Sequence, residues 1–166
     1  MKELLQGRRF GYAPRPAFAH VAVGLAIATT VLDLAAWFQW GARETNGLVV
    51  GAYWTAIATM IVAAAASLMA VAELVDAPDE ERTLSRLDLG AAVVAAFLTL
   101  ASVLLRGAEL AAAGVTPAAL LLTIAALLVL LVDSVIAANL YAAREWEELE
   151  QDESFERHRR RRAAVR

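Results

Sequence analysis

Ionisable side chains set within long apolar runs are the residues of this sequence best suited to chemistry. They are His20, Asp33, Glu73, Asp88 and Asp133. A charge near the centre of a bilayer costs about 2.5–3.5 kcal/mol on insertion scales, so such groups face inward, pair with one another or lose their charge. Their positions therefore predict either polar contacts that join helices or a site that binds a proton or an ion.

Asp33 stands apart from the other acids. The other acids lie near one boundary of the membrane. The topology given below places Asp33 about 10 Å inside the other boundary, which Trp40 marks. Its nearest candidate partners are Thr99, Ser102 and Arg106. A hydrogen bond or salt bridge between helices is the structural interpretation, and a protonatable or ion-binding site is the functional one. The sequence leaves both open.

His20 precedes Asp33 by 13 positions, which separates the two by about 140° around a helix, so they do not share a face. We interpret His20 as a histidine at the membrane interface. The other histidine, His158, lies in a polar tail, so a bis-histidine haem would need a second chain. No cofactor or metal is expected. The alternatives are a metal or haem ligand and a proton relay with Glu73, Asp88 or Asp133.

The acids Glu73, Asp76 and Asp88 fall near one boundary of the apolar runs. Arginines lie just beyond that boundary, and they are Arg15, Arg82 and Arg86. The simplest interpretation is a solvated rim in which these acids pair with arginines.

Catalytic motifs are missing from the sequence. There is no cysteine, which excludes disulfides, thiolate nucleophiles and cysteine-ligated metals within this chain. Nucleotide-binding, zinc-protease and serine-hydrolase motifs are also missing. We therefore expect no enzyme activity and name no catalytic residue.

Four apolar runs must position the ionisable residues. The chain is 60% hydrophobic, whereas soluble domains are about 45–50% apolar. The first run would form a helix of about 36 Å, which is enough to cross a hydrocarbon core of about 30 Å. Thr83 or Ser85 is expected to cap the third helix. The four predicted spans are residues 17–40, 48–75, 87–105 and 117–141.

The basic residues predict the orientation of these spans. Residues 1–16, the loop 76–86 and the tail 142–166 together hold 13 of the 15 Lys and Arg. The positive-inside rule then puts both termini in the cytoplasm. The tail is acidic and then basic, and its first part could extend the last helix. Basic side chains at both ends are expected to touch anionic lipid headgroups. They are Arg8, Arg9, Arg159, Arg160, Arg161 and Arg162.

Small residues recur on one side of each span at helical spacing, and Asp33, Glu73, Asp88 and Asp133 fall on that side. Helices in lipid associate through such small and polar residues. The fold class predicted is therefore an all-α integral membrane protein, an antiparallel four-helix transmembrane bundle with a charged helical tail. Lipid is the partner expected for its surface, together with other membrane subunits or further copies of the chain, and no nucleic acid is expected.

The first span, RPAFAHVAVGLAIATTVLDLAAWF, resembles the opening of a bacterial four-helix membrane family, domain of unknown function 2231. Pro16, His20, Gly24 and Asp33 match that family's layout, and ELVDAP and LLRG resemble the ends of its second and third helices. Arg15 stands where the family has its first histidine, and Asp88 stands where it often has another. The resemblance implies a bacterial cytoplasmic membrane protein, with some relatives joined to Rieske-type redox modules.

Three functional hypotheses follow. The first is a non-catalytic accessory or interaction subunit of a membrane complex, redox complexes included. The second is a small oligomeric transporter, or a protein that conducts protons or ions, with Asp33 and Asp133 as its intramembrane charges. The third is a haem- or metal-binding electron-transfer subunit that uses His20. The sequence does not choose between the last two.

Overall fold

The computed structural model describes residues 14–41, 46–107 and 114–164, with side chains described as far as Tyr141. These ranges hold four helices and no strand: α1 (Pro14–Trp37), α2 (Gly47–Leu74), α3 (Arg82–Gly107) and α4 (Pro117–Ala164). Each is long and apolar enough to cross a membrane, α4 over its first 25 residues, Pro117–Tyr141. The all-helical fold class is thus confirmed, as is the prediction of four helices long and apolar enough to span a membrane.

Two helices are longer than the predicted apolar spans, because each includes polar residues beside its span. α3 begins at Arg82, five residues before the predicted start, because its polar first turn hides it from a hydropathy pattern. Ser85 consequently lies inside α3, facing the core, and does not cap it. α4 continues through the charged tail to Ala164, since no proline or glycine follows Pro117 to interrupt it.

The turn after α1 ends that helix three residues before the predicted end. Gln39 has a φ of 59° and Gly41 a φ of 119°, both in the left-handed region that stops a helix. Asn46 then caps α2: its side chain accepts a hydrogen bond from the Leu48 N–H and donates one to the Trp40 carbonyl. A Cβ on Gly41 would lie 2.5 Å from Asn46 Oδ1, so this turn requires glycine.

The residues that face the core follow one pattern in all four helices. The number of positions from one core-facing residue to the next alternates between four and three. In α1 the series is Arg15, Ala19, Ala22, Ala26, Thr29, Asp33 and Ala36. In α3 it is Asp88, Ala92, Ala95, Thr99, Ser102 and Arg106. An average step of 3.5 residues keeps one stripe facing the partner helices along the whole bundle. The small-residue stripes predicted from the sequence are these buried positions.

The helices form a ring in which α1 and α3 each pack against α2 and α4. α1 and α3 therefore face each other across the core. They run parallel, because Arg15 near the start of α1 contacts Asp88 near the start of α3, and Asp33 near the end of α1 contacts Arg106 near the end of α3. The middle of the core is an apolar layer of Ala22, Ala26, Ala63, Ala95 and Leu130. Four of these five residues are alanine, so the helices approach closely.

Candidate functional site: two buried ion-pair clusters

Arg15 lies at one end of the core and joins three helices. Its Nε and Nη2 donate to Oδ2 and Oδ1 of Asp88 at 3.2 and 3.0 Å. The same Nη2 donates to Oδ1 of Asp133 in α4 at 2.6 Å. Arg15 is 0% exposed, Asp88 2% and Asp133 1%. We call these three residues the Arg15 cluster.

The position of Arg15 follows from where α1 begins. Pro14 suits the first position of a helix, so the helix includes Arg15, which occupies the first inward position of the stripe. A buried charge is tolerated only when it is paired and hydrogen-bonded, and the two carboxylates provide this. The sequence interpretation placed Arg15 outside the apolar span and Asp88 in a solvated rim. Both placements are wrong, because both side chains are buried in the core, whereas the expected pairing of Asp88 with an arginine is confirmed.

Two buried polar atoms at this end of the core have no hydrogen-bond partner among the described residues, and they are Nη1 of Arg15 and Oγ of Ser85. Ser85 is 3% exposed and precedes Asp88 by one helical turn on the same face of α3. Buried polar groups are nearly always satisfied in proteins, so two such atoms at one end of the core need an explanation.

Asp33 pairs with Arg106 at the opposite end of the core. Arg106 Nη1 donates to Asp33 Oδ1 at 2.6 Å, and Nη2 donates to Oδ2, so the contact is bidentate. Arg106 also donates to Thr123 Oγ1 at 2.7 Å and to Ser102 Oγ at 3.0 Å. We call Asp33 and Arg106 the Asp33 pair. One positive charge meets one negative charge there, and neither residue has an unpartnered side-chain atom.

Arg106 was one of three partners considered for Asp33 in the sequence, and the structure selects it. Arg106 is 2% exposed, so it is a buried residue of α3 and does not extend toward a membrane surface. Ser102 supports Arg106, and the Thr99 hydroxyl donates to carbonyls of its own helix. This geometry matches the structural interpretation of Asp33, a salt bridge between helices.

The space between the two clusters is nearly filled. A cavity of about 10 Å³ lies beside the apolar layer, and hydroxyls of Thr29, Thr59 and Thr99 line part of it. Such a volume holds one water molecule at most. Each of these hydroxyls already donates to a carbonyl one turn earlier in its own helix. The core therefore has a polar cluster at each end and an alanine layer between them.

His20 lies away from both clusters. Its side chain is exposed on the outside of the bundle, and its Nδ1 lies 2.6 Å from the Pro16 carbonyl oxygen. The structure does not bring His20 to Glu73, Asp88 or Asp133, so a relay through it has no geometric support. No group of three His, Cys, Asp or Glu side chains that could hold a metal ion occurs among the described residues.

Glu73 and Asp76 differ in solvent exposure. Glu73 is buried, 9% exposed, and accepts a hydrogen bond from the Tyr141 hydroxyl of α4, so it does not belong to a solvated rim. Asp76 is exposed, as the rim interpretation requires.

The arginines expected at lipid headgroups fall outside the part of the chain that the structure describes in full. Arg8 and Arg9 lie outside the described residues. For Arg159, Arg160, Arg161 and Arg162 only the helical backbone is described.

Sequence reasoning named Arg15 as an arginine beyond the apolar span and Ser85 as a helix cap, and it placed neither in the core. Arg15 precedes Asp33 by 18 positions, which is five helical turns, and Ser85 precedes Asp88 by three. This spacing puts each on the inward stripe of its own helix, and it was the signal available for finding them.

Fold and site define the class of protein: a four-helix bundle, each helix able to cross a membrane, with charged residues buried at both ends of its core. No known family, curated protein or solved structure matches the chain. The resemblance to domain of unknown function 2231 therefore stays a prediction.

Proposed function

We propose that this protein is a non-catalytic multi-pass membrane protein that acts as an accessory or interaction subunit of a membrane complex. The observation that carries the proposal is the closed core. Ion pairs occupy both ends, an alanine layer fills the middle, and the cavity beside that layer holds one water at most. Such an interior, as far as the structure describes it, suits a rigid scaffold.

The outer surface supports a role in lipid and in contact with other subunits. Large apolar side chains are exposed on every helix, among them Val31, Trp54, Phe97 and Leu128. A surface of this kind is stable in a bilayer or against other apolar helices. Aromatic residues near the α1–α2 turn, including Trp37 and Trp40, are exposed where an interfacial belt is expected.

The proposed location is a bacterial cytoplasmic membrane with both termini in the cytoplasm. Arg15 and Arg106 are buried and paired, so they do not contribute to the positive-inside bias. Of the other 13 Lys and Arg, all except Arg43 lie in the segments assigned to the cytoplasm. The chain has no cysteine, so single cysteines placed in the connectors can be labelled from either side. A cysteine at Arg43 reacting only with periplasmic reagent supports the topology, and cytoplasmic reaction would reverse it.

The alternative of proton or ion conduction through Asp33 and Asp133 requires a polar path between the two ends. The layer of Ala22, Ala26, Ala63, Ala95 and Leu130 interrupts such a path. Asp33 is also held in a neutral bidentate pair. Both features support the accessory role over conduction.

The experiment is native mass spectrometry after gentle extraction from the host membrane, combined with proton and ion flux measurements in liposomes. The accessory role predicts a mass above 17.8 kDa that includes other subunits, with no flux from the purified protein. A monomer or homo-oligomer that conducts, and that loses conduction in Asp33→Asn or Asp133→Asn, would refute the accessory role in favour of transport.

A further inference from the structure

The two ends of the core differ in charge balance. The Asp33 pair has one cation and one anion. In the Arg15 cluster a single guanidinium meets two carboxylates, Asp88 and Asp133. Glu73 of α2 lies close enough to Asp88 for their charges to repel. Among the described side chains, Arg15 is the one cation that forms an ion pair with Asp88 and Asp133.

An excess negative charge in a buried site requires compensation. Charges buried without a partner are expensive, and the usual outcome is that a group becomes neutral. When two carboxylates share one site, one of them holds a proton far more readily than an isolated carboxylate does. The Arg15 cluster has this composition, because one Nη2 atom of Arg15 contacts an oxygen of each carboxylate, at 3.0 and 2.6 Å.

A second observation points to a small ligand at the same end. Nη1 of Arg15 and Oγ of Ser85 are buried and have no hydrogen-bond partner. Arg15 is the second residue of α1 and Ser85 is the fourth of α3, so both lie in the first turn of their helices. A buried water commonly satisfies such atoms, and a water at the end of a bundle is close to bulk solvent.

We propose that the Arg15 cluster binds one exchangeable proton, held by Asp88 and Asp133, and that a water bound at Arg15 Nη1 and Ser85 Oγ passes it to and from solvent. On uptake an O–H bond of the protonated water breaks as an O–H bond to a carboxylate oxygen forms, and on release the carboxyl O–H bond breaks as the proton returns to that water. The site then holds Arg15 with one carboxylate and one carboxylic acid, which is electrically neutral. This proposal does not depend on the accessory role.

A proton fits this site better than a metal cation. The guanidinium of Arg15 already occupies the space between the two carboxylates, so a metal ion would lie against a positive charge. A proton needs no such space. Among the side chains that the structure describes, the titratable and charged groups that face the cluster are Arg15 from α1, Glu73 from α2, Asp88 from α3, and Asp133 with Tyr141 from α4.

Infrared spectroscopy of the protein in lipid nanodiscs tests the proposal directly. We expect a carbonyl band of a protonated carboxylic acid at neutral pH, which disappears at alkaline pH and shifts when aspartate is labelled with carbon-13 at its side-chain carboxyl. This measurement needs no variant. The proposal is overturned if the folded protein shows no such band at neutral pH, or if the band shifts with labelled glutamate instead.

Variants locate the proton. Asp88→Asn and Asp133→Asn should each abolish the band, because the remaining carboxylate then pairs one-to-one with Arg15. Glu73→Gln and Asp79→Asn are the matched controls and should keep it; Asp79 is an exposed residue paired with Arg82. Loss of the band in Glu73→Gln alone would place the proton on Glu73 and contradict the proposal. Circular dichroism checks that each variant retains its helices.

A comparison of sodium and choline buffers tests whether a proton or a metal cation neutralises the excess negative charge of the Arg15 cluster. We expect the band at neutral pH to be the same in sodium and in choline buffer. A band that is present in choline and is lost on adding sodium would mean that a metal cation displaces the proton at this site, which would refute a site selective for protons.

Discussion

Arg15 pairs with Asp88, the residue 73 positions later in the chain, and this contact crosses the diagonal of the bundle. Asp33 pairs with Arg106 at the same separation of 73 positions, with the charges reversed. Arg15 and Asp33 are five turns apart on one face of α1, and their partners are five turns apart on one face of α3. The two diagonal helices are thus held in one register by two ion pairs of opposite polarity.

Arg15→Leu should be strongly destabilising. It leaves Asp88 and Asp133 buried without their cation, and removal of one partner of a buried ion pair costs about 3–5 kcal/mol. We expect a large drop in the free energy of unfolding, measured by denaturant titration in mixed micelles. Arg82→Ala is the control, because its pair with Asp79 is exposed and such pairs are worth about 0–1 kcal/mol. Equal effects of the two substitutions would contradict the buried placement of Arg15.

The Asp33 pair should behave as a coupled unit. Asp33→Asn leaves the buried Arg106 with no carboxylate and should be destabilising, as should Arg106→Gln. The double variant leaves no unpaired charge, so its loss of stability should be well below the sum of the two single losses. The four unfolding free energies form a double-mutant cycle, and we expect a coupling energy of about 0.5–3 kcal/mol. Additive losses would mean that the two residues do not touch.

Gly41→Ala should weaken the turn between α1 and α2 by at least about 1 kcal/mol, since alanine is strained at positive φ. The added Cβ would also meet the side chain of Asn46, which caps α2. Gly24→Ala is the matched control, because the space around its Cβ position is empty and it lies inside a helix. Thermal unfolding of both variants measures the difference. A Gly41→Ala variant as stable as wild type would show that the turn has another conformation.

The alanine layer should not tolerate larger residues. Ala63 is 1% exposed and packs in the apolar layer, so Ala63→Leu should cost about 1–3 kcal/mol by overpacking. Its neighbour Ala64 is exposed, and Ala64→Leu should leave the unfolding free energy nearly unchanged. Similar losses in the two variants would mean that the helices are farther apart than the structure has them.

The sequence predicted the four helices and their inward faces because hydropathy and small-residue spacing depend only on local pattern. Asp33, Glu73, Asp88 and Asp133, which that spacing placed on the inward side, are all buried. The placement of Arg15 failed because an arginine next to an apolar run normally remains in water, and only its distant partners stabilise it in the core. Those partners, Asp88 and Asp133, are 73 and 118 positions away, and a local pattern contains no information about such contacts.

The continuous helix α4 has a mechanical consequence. At about 1.5 Å per residue its 48 residues extend for about 72 Å, and roughly the last half lies beyond the apolar portion that ends at Tyr141. Asp133 belongs to the same helix, which has neither proline nor glycine after Pro117 to act as a hinge. A force or torque applied to the charged tail would therefore be transmitted as a rigid-body movement to the carboxylate that contacts Arg15.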